Sequence, residues 1–179
     1  MQNSVMKVAI IGAGPRGLWA SEELMERARE RGAAIDVTVF DAKPLEESSA
    51  PGAFRDSVPE EFILNAPKSI VETKLGPLDP NDELPGDFPS RRHVGEHLDA
   101  SWRALEANLP PGCSLTHRVA DIEMVEPTDD GVVVLGEHFD EVLMVTGHAH
   151  DWPGSLAHAD LGDFKVVAPA YPASNLDAV

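Results

Sequence analysis

Apolar residues fall along this chain in blocks whose spacing changes from one block to the next. Val8-Ala9-Ile10-Ile11 is a short unbroken apolar run, the pattern of a parallel strand covered on both faces. From Leu18 to Arg31 the apolar positions take helical spacing, with Leu18, Leu24, Met25 and Ala28 supplying much of one face, and Gly32 stands where such a helix would stop. Ile35-Asp36-Val37-Thr38-Val39-Phe40 then restores a strand pattern and runs into Asp41. Strand, helix and strand in this order predict one parallel βαβ unit.

The pattern breaks after Asp41. Residues 42–90 are crowded with Pro, Gly, Ser and Asp, and short apolar islands such as Phe62-Ile63-Leu64 punctuate them. A loop of that length inside a compact domain is expected to be functional or disordered. Ser90 caps a predicted helix over residues 91–108, which Leu109-Pro110-Pro111-Gly112 ends. Three strands are predicted beyond it: Leu115–Met124, Val132–Leu135 and Glu141–Val145. Thr128-Asp129-Asp130-Gly131 supplies turn chemistry between the first two, Gly136-Glu137 separates the second from the third, and the last runs directly into Thr146-Gly147.

The join between the first strand and helix carries the most chemistry. Gly12-Ala13-Gly14-Pro15-Arg16-Gly17 completes a G-x-G-x-x-G turn. In such a turn Gly12 permits the sharp exit from the strand, and Gly14 removes a Cβ so that backbone can approach a pyrophosphate. Gly17 lets the helix pack closely on the sheet, with its N-terminal N–H groups and dipole aimed at the anion. Asp41 lies 24 residues beyond Gly17, near the spacing of about 20 at which an acid meets the ribose. A carboxylate there accepts hydrogen bonds from ribose hydroxyls and repels a 2′-phosphate. The pieces taken singly describe a glycine-rich turn and a solvated strand-end acid; in this order they predict dinucleotide binding.

A simple nicotinamide domain would continue with alternating strands and helices. One parallel unit, a long excursion, a small antiparallel ribbon and a returning strand that ends in glycine fit a flavin-binding domain better. The expected fold class is therefore α/β: a Rossmann-like parallel sheet of FAD-binding type, with a small antiparallel β-ribbon insertion and a long Pro/Gly-rich loop.

The bulk numbers narrow the partners. The chain has 179 residues, 42% hydrophobic and 25% charged, the make-up of an ordinary globular domain with a sizeable core. Asp and Glu number 31 against 14 Lys and Arg, for a formal charge of −17. That field repels nucleic acid and anionic membranes, so a small-molecule substrate is the expected partner. Cys113 is the single cysteine and has no internal disulfide partner. Met1–Lys7 lacks a signal peptide's apolar core, no apolar run approaches membrane-spanning length, and the expected location is cytoplasmic.

The chain resembles the two-dinucleotide-domain flavoproteins, and within them the FAD/NAD(P)-binding proteins of uncertain substrate. The stretches that carry the resemblance are Ile10–Leu18, Val37–Asp41, Leu64-Asn65-Ala66-Pro67, Phe88-Pro89-Ser90-Arg91-Arg92 and Val142–His148, which cover the chain almost end to end. The resemblance implies that Gly12, Gly14 and Gly17, with Pro15 and Arg16 between them, hold the FAD pyrophosphate and that Asp41 takes the adenosine ribose. It further implies that Val119 lies against the adenine, that Thr146-Gly147 closes over the nucleotide, and that Asn65 stands near the flavin ring. Proteins of this kind carry a second glycine-rich turn for NAD(P)H, and this sequence has none after Gly147. Residues 1–147 are accordingly expected to form the FAD-binding domain, with the insertion at 42–90. Residues 148–179 are expected to lead toward a nicotinamide-binding domain supplied by further sequence or by another chain, with self-association a second possibility.

Other residues invite a function. His93-Val94-Gly95-Glu96-His97 matches an H-x-x-E-H zinc pattern, but Gly95 within it and Arg91-Arg92 beside it favour an amphipathic helix with exposed histidines and no metal. His148 and His150 are read as a polar loop next to the nucleotide rather than as proton-transfer groups, with Trp152-Pro153 packing that loop down. Arg16 either pairs with a phosphate or extends into solvent, and Arg91 and Arg92 either neutralise a phosphate or meet acids such as Asp87. Cys113, in a Pro-Gly turn, is not expected to be a nucleophile. No catalytic acid or base is nominated. The leading expectation is the FAD-binding portion of an NAD(P)H-dependent flavoprotein oxidoreductase or monooxygenase. A single-site NAD-binding dehydrogenase and a non-catalytic dinucleotide-binding module are the alternatives.

Overall fold

The apolar run at the start of the chain becomes the middle of a sheet. The computed structural model describes residues 5–45, 54 and 58–147. In chain order the elements are β1 (Met6–Ile11), α1 (Pro15–Arg31), β2 (Ile35–Asp41), the two-residue strands β3 (Glu72–Thr73) and β4 (Gly76–Pro77), α2 (Arg91–Ala107) and β5 (Ser114–Val119). Four short strands follow: β6 (Val125–Thr128), β7 (Gly131–Val134), β8 (Glu137–Phe139) and β9 (Glu141–Met144). The main sheet is wholly parallel, in spatial order β5-β2-β1-β9. The expected α/β fold, with its Rossmann-like parallel sheet and small antiparallel ribbon, is the one observed.

Alternation along β1 explains why its sequence is apolar without interruption. Val8 and Ile10 face α1 and α2, where they join Leu18, Met25, Ala28, Val94, Leu98 and Trp102. Ala9 and Ile11 face the other way, onto Phe40, Val132, Val134 and Phe139, the last three from the β6–β8 meander. Phe40 and Phe139 meet edge to face with centroids 5.9 Å apart. A strand covered on both faces has no polar positions to spare.

Element ends differ from the sequence reading in instructive places. α1 begins at Pro15, inside the glycine motif, because proline presets a helical φ and needs no N–H partner at the first position. Its other end is the expected Gly32, in the left-handed region at φ 59°. β5 was expected to reach Met124 but stops at Val119. Its partner β2 ends at Asp41, whose carbonyl accepts the last cross-strand bond from Ala120 at 2.8 Å, leaving nothing further to pair with. β6 and β8 escape the sequence pattern, β6 because Val-Glu-Pro-Thr is a polar edge strand in which Pro127 is tolerated.

The long insertion is ordered over residues 58–90 by polar contacts. The Lys68 ammonium, with its side chain largely buried, reaches Asp79 Oδ2 at 2.8 Å, Asp82 Oδ1 at 2.6 Å and the Leu84 carbonyl at 2.7 Å. Asp79 also accepts the N–H groups of Glu83 and Leu84 at 2.9 and 3.0 Å. The Lys68 hydrogen bond holds the Asp79 carboxyl below its ordinary range, and Asp79 in turn raises Lys68. The β3–β4 hairpin is fastened to both helices. Lys74 N–H donates to Glu22 Oε1 of α1 at 3.0 Å and the Lys74 ammonium pairs with Glu26, while Thr73 Oγ1 meets Ser101 Oγ at 2.7 Å and His97 Nε2 at 3.2 Å on α2. Among the described residues no helix is long and apolar enough to cross a membrane.

Two stability tests follow from these contacts. Burial raises the Glu22 carboxyl above its ordinary value, against the hydrogen bond and charge of Lys74. Its contribution to stability is therefore full below the unfolded-state value and is lost as pH rises through the higher folded value. Glu22→Gln keeps the acceptor for Lys74 N–H, so the variant should melt above the wild type at pH 7 and converge with it at acid pH; a gap that widens on acidification would overturn the assignment. The β7–β8 turn places Leu135 at φ 50° and Gly136 at φ 78°, a type I′ geometry in which leucine is strained. Leu135→Asn should stabilise the fold by about 1 kcal/mol in urea titration, and a loss of stability would show that the exposed leucine packs usefully.

Candidate dinucleotide-binding site

The glycine loop leaves β1 at the carboxyl end of the sheet, and each of its peptide groups is held by a different element. Ile11 C=O accepts the Val145 N–H at 2.9 Å, and Gly12 N–H donates to the Phe40 carbonyl at 2.7 Å, so the first peptide is pinned between the ends of β9 and β2. Ala13 N–H donates to Asp41 Oδ2 at 2.9 Å. Ala13 C=O accepts from the indole Nε1–H of Trp102 at 3.2 Å, a fully buried side chain on α2. Gly14 C=O accepts Leu18 N–H at 3.0 Å and so starts the helix. The Gly14 N–H is paired with no acceptor among the described residues.

The three glycines meet three different demands. Gly12 sits at φ 114°, and a Cβ there would lie 2.5 Å from the Val145 carbonyl oxygen and 3.3 Å from the Thr146 Cα. A Cβ on Gly17 would overlap the Gly12 carbonyl oxygen, so this glycine sets the distance between α1 and the loop. Gly14 has φ −66° and ψ −171°, extended backbone of the kind any residue before a proline adopts. The fold itself needs glycine at positions 12 and 17. At position 14 the backbone angles do not demand glycine.

At this point α1 presents its N-terminus without any side-chain cap and with no acid in its first turn. The N–H groups of Arg16 and Gly17 lack helical acceptors by construction, and the helix dipole adds partial positive charge. Arg16 is exposed beside them. Asp41, half-buried, uses its two carboxylate oxygens on Ala13 N–H and on Lys43 N–H at 3.1 Å, which fixes the group while leaving a lone pair on each oxygen for another donor. Val119 is the cross-strand partner of Asp41, and 64% of its surface is exposed. An anion seat, a fixed carboxylate and an exposed apolar side chain thus lie in sequence along the carboxyl edge of β1, β2 and β5. They suit a phosphate, a sugar and a flat ring in that order.

Of the other singled-out residues, some lie at the loop and some away from it. Thr146 is drawn to the loop through Gly12, and Gly147 follows it at φ 87°. Asn65 is exposed on the strand-like segment in which Leu64 N–H bonds Pro89 C=O and Arg91 N–H bonds Phe62 C=O, each at 2.8 Å. That segment abuts the start of α2, roughly 17 Å along the helix from Trp102. Arg92 pairs with Glu60 at 3.4 Å and the Val58 carbonyl at 3.1 Å rather than with Asp87, and Arg91 lies over the Phe54 ring at 5.6 Å. His93 and His97 are half-buried, not exposed as expected: His93 Nδ1 meets Ser90 Oγ at 2.9 Å and His97 turns to Thr73. Burial holds the His97 ring below its usual value, opposed by a hydrogen bond to the Gly76 backbone. Cys113 donates weakly to the Ala33 carbonyl at 3.6 Å. His148, His150 and Trp152 lie outside the described residues.

Trp102 is the residue that sequence reasoning missed. Its spacing from Val94 and Leu98 marks it as core, but nothing local announces an indole N–H aimed at a loop 89 residues away. The distinct demands on the glycines are separable by mutation. Gly17→Ala should destabilise the protein without any ligand, by about 1–3 kcal/mol, because the new methyl meets backbone; an unchanged melting temperature would show that α1 can shift away from the loop freely.

Residues 9–149 match the FAD-NAD(P)-binding family. The chain is also similar to the nitrosuccinic acid synthase of Aspergillus oryzae, at 25% identity over 205 residues; the match covers 93% of this chain and 30% of that protein. The chain therefore spans about a third of the length of this curated relative. With most of its residues inside the family match, and with the glycine loop, α1 and Asp41 all within it, the chain belongs to the FAD-NAD(P)-binding family.

Proposed function

We propose that this chain binds the ADP portion of FAD at the glycine loop and forms the flavin-binding part of an NAD(P)H-dependent oxidoreductase or monooxygenase. The observation that carries the reading is Gly14: glycine at a backbone geometry that does not require it, with its N–H unpaired among the described residues and an uncapped helix N-terminus behind it. Gly14, Arg16 and Gly17 would donate N–H groups to the pyrophosphate, and the Arg16 guanidinium would stand within reach of its charge. Asp41 would accept the ribose hydroxyls while held by Ala13 and Lys43. Val119 would cover the adenine, and Thr146-Gly147 would close the nucleotide from the β9 side.

When bound, the flavin would supply hydride acceptance from a reduced nicotinamide and transfer to a second acceptor. The protein residues named here bind and orient; none of them takes a proton in this reading. Asn65, on the ordered insertion, is the chain's candidate for the flavin-ring end. The relative is named for a nitro acid product, which makes small carboxylic acids bearing nitrogen a substrate class to screen first.

The test is the visible absorption spectrum of the purified chain after FAD is added and excess is removed. Wild type should retain a flavin band. Gly14→Val should lose it, since a branched side chain would stand where the pyrophosphate must approach, and the variant's melting temperature, compared with that of the wild type, separates this loss from unfolding. Equal retention by the variant would sink the site assignment. Affinity for NADH without retention of FAD would favour a nicotinamide-binding dehydrogenase instead.

A further inference from the structure

Trp102 belongs to no part of the motif, yet its indole bonds the carbonyl of the loop peptide that carries the Gly14 N–H. The Ala13–Gly14 peptide is planar and trans, so Ala13 C=O and Gly14 N–H point in opposite directions. The indole of Trp102 holds that carbonyl inward at 3.2 Å. The Gly14 N–H therefore points the opposite way, away from the Trp102 indole. Without the indole this peptide has little to keep it from turning over, because glycine accepts the positive φ that a flip would demand.

The indole is itself held firmly. Trp102 is fully buried, and His117 of β5 packs edge to face against it with centroids 4.8 Å apart. His117 Nε2 lies 3.2 Å from Glu106 Oε1 on the next turn of α2, and the ring contact joins helix to sheet. On the loop's other side Ala13 N–H is fixed by Asp41. Ala13 is buried, and a carbonyl left there without a donor would carry the cost of an unpaired polar group.

We propose that Trp102 is a positioning residue for anion binding: by fixing the Ala13 carbonyl it presents Gly14 N–H to the pyrophosphate. The inference rests on the dinucleotide reading above and adds to it a residue from outside the glycine motif. Coupling of this kind is reciprocal, so a phosphate that engages Gly14 N–H must also strengthen the indole bond behind it.

The experiment uses the whole chain labelled with nitrogen-15 tryptophan, in parallel with a version carrying benzothienylalanine at position 102. That side chain keeps the bicyclic shape and puts sulfur where the N–H was, so the missing indole signal also assigns Trp102. ADP and FAD should move the Trp102 indole proton and slow its exchange with solvent, whereas adenosine, which lacks phosphate, should not. The isostere should bind FAD about fivefold to tenfold more weakly with its melting temperature maintained. If FAD binds the wild type and the isostere equally, and ADP leaves the indole signal unmoved, Trp102 only fills space and the dinucleotide reading survives. If neither ADP nor FAD binds the wild type, that reading falls and this inference falls with it.

Discussion

The Ile11–Gly12 peptide holds the architecture to its site. Its carbonyl takes the Val145 N–H from beyond β9 and its N–H serves the Phe40 carbonyl of β2, so one peptide group ties together the three strands that meet at the carboxyl edge. Every later feature of the loop depends on that junction being tight. Gly12 must lack a side chain because Val145 and Thr146 come so near, and its own carbonyl then lies where only glycine at position 17 leaves room. The start of α1 is brought against the sheet at this distance, with its bare N-terminus beside the crevice between β1 and β9. Parallel sheets offer such crevices where neighbouring connections run to opposite sides, and here the sheet order β5-β2-β1-β9 puts that reversal at β1.

Around this rigid centre the insertion is built on different physics. Among its described residues few large apolar side chains bury, and Lys68 with Asp79, Asp82 and the Leu84 carbonyl organises them instead. A charge-assisted cluster is more sensitive to pH than an apolar core. Asp79 is held ionised by Lys68, so its contribution is present above the unfolded carboxylate value and is lost as acid protonates it through the lower folded one. Glu22, where the same insertion meets α1, responds in the opposite sense. Acid therefore weakens the Lys68–Asp79 contact that organises this segment.

Much of this was legible in the sequence where the information is local. The unbroken run Val8–Ile11, the glycine turn, Gly32 and the Ser90 cap each specify backbone through their own chemistry, and the structure returns them within a few residues. Edges are set by partners, which a single strand does not contain: β5 ends at Val119 because β2 ends at Asp41, and β6 and β8 exist because β7 pairs on both sides. The same limit applies to the site. Asp41 announces itself by spacing, but its bond to Ala13 N–H does not, and the indole of Trp102 reaches its acceptor only after α2 has packed. His93 and His97 read as solvent-facing because the hairpin that receives His97 comes from an insertion with no periodic signal.

The position of β9 beside β1 has a consequence for how the protein comes into being. Asp140 holds the Lys7 N–H across a sequence separation of 133 residues, and the bond from Val145 N–H to the Ile11 carbonyl closes over a similar span. Contacts of such long reach form late, because the chain between them must first lose its freedom. During synthesis the glycine motif emerges early, but β9, beyond which Val145 pins the motif's first peptide, follows more than a hundred residues later. The loop's backbone thus reaches its final geometry only after β9 has docked, and a chain that stops short of β9 would carry the residues of the motif without its shape.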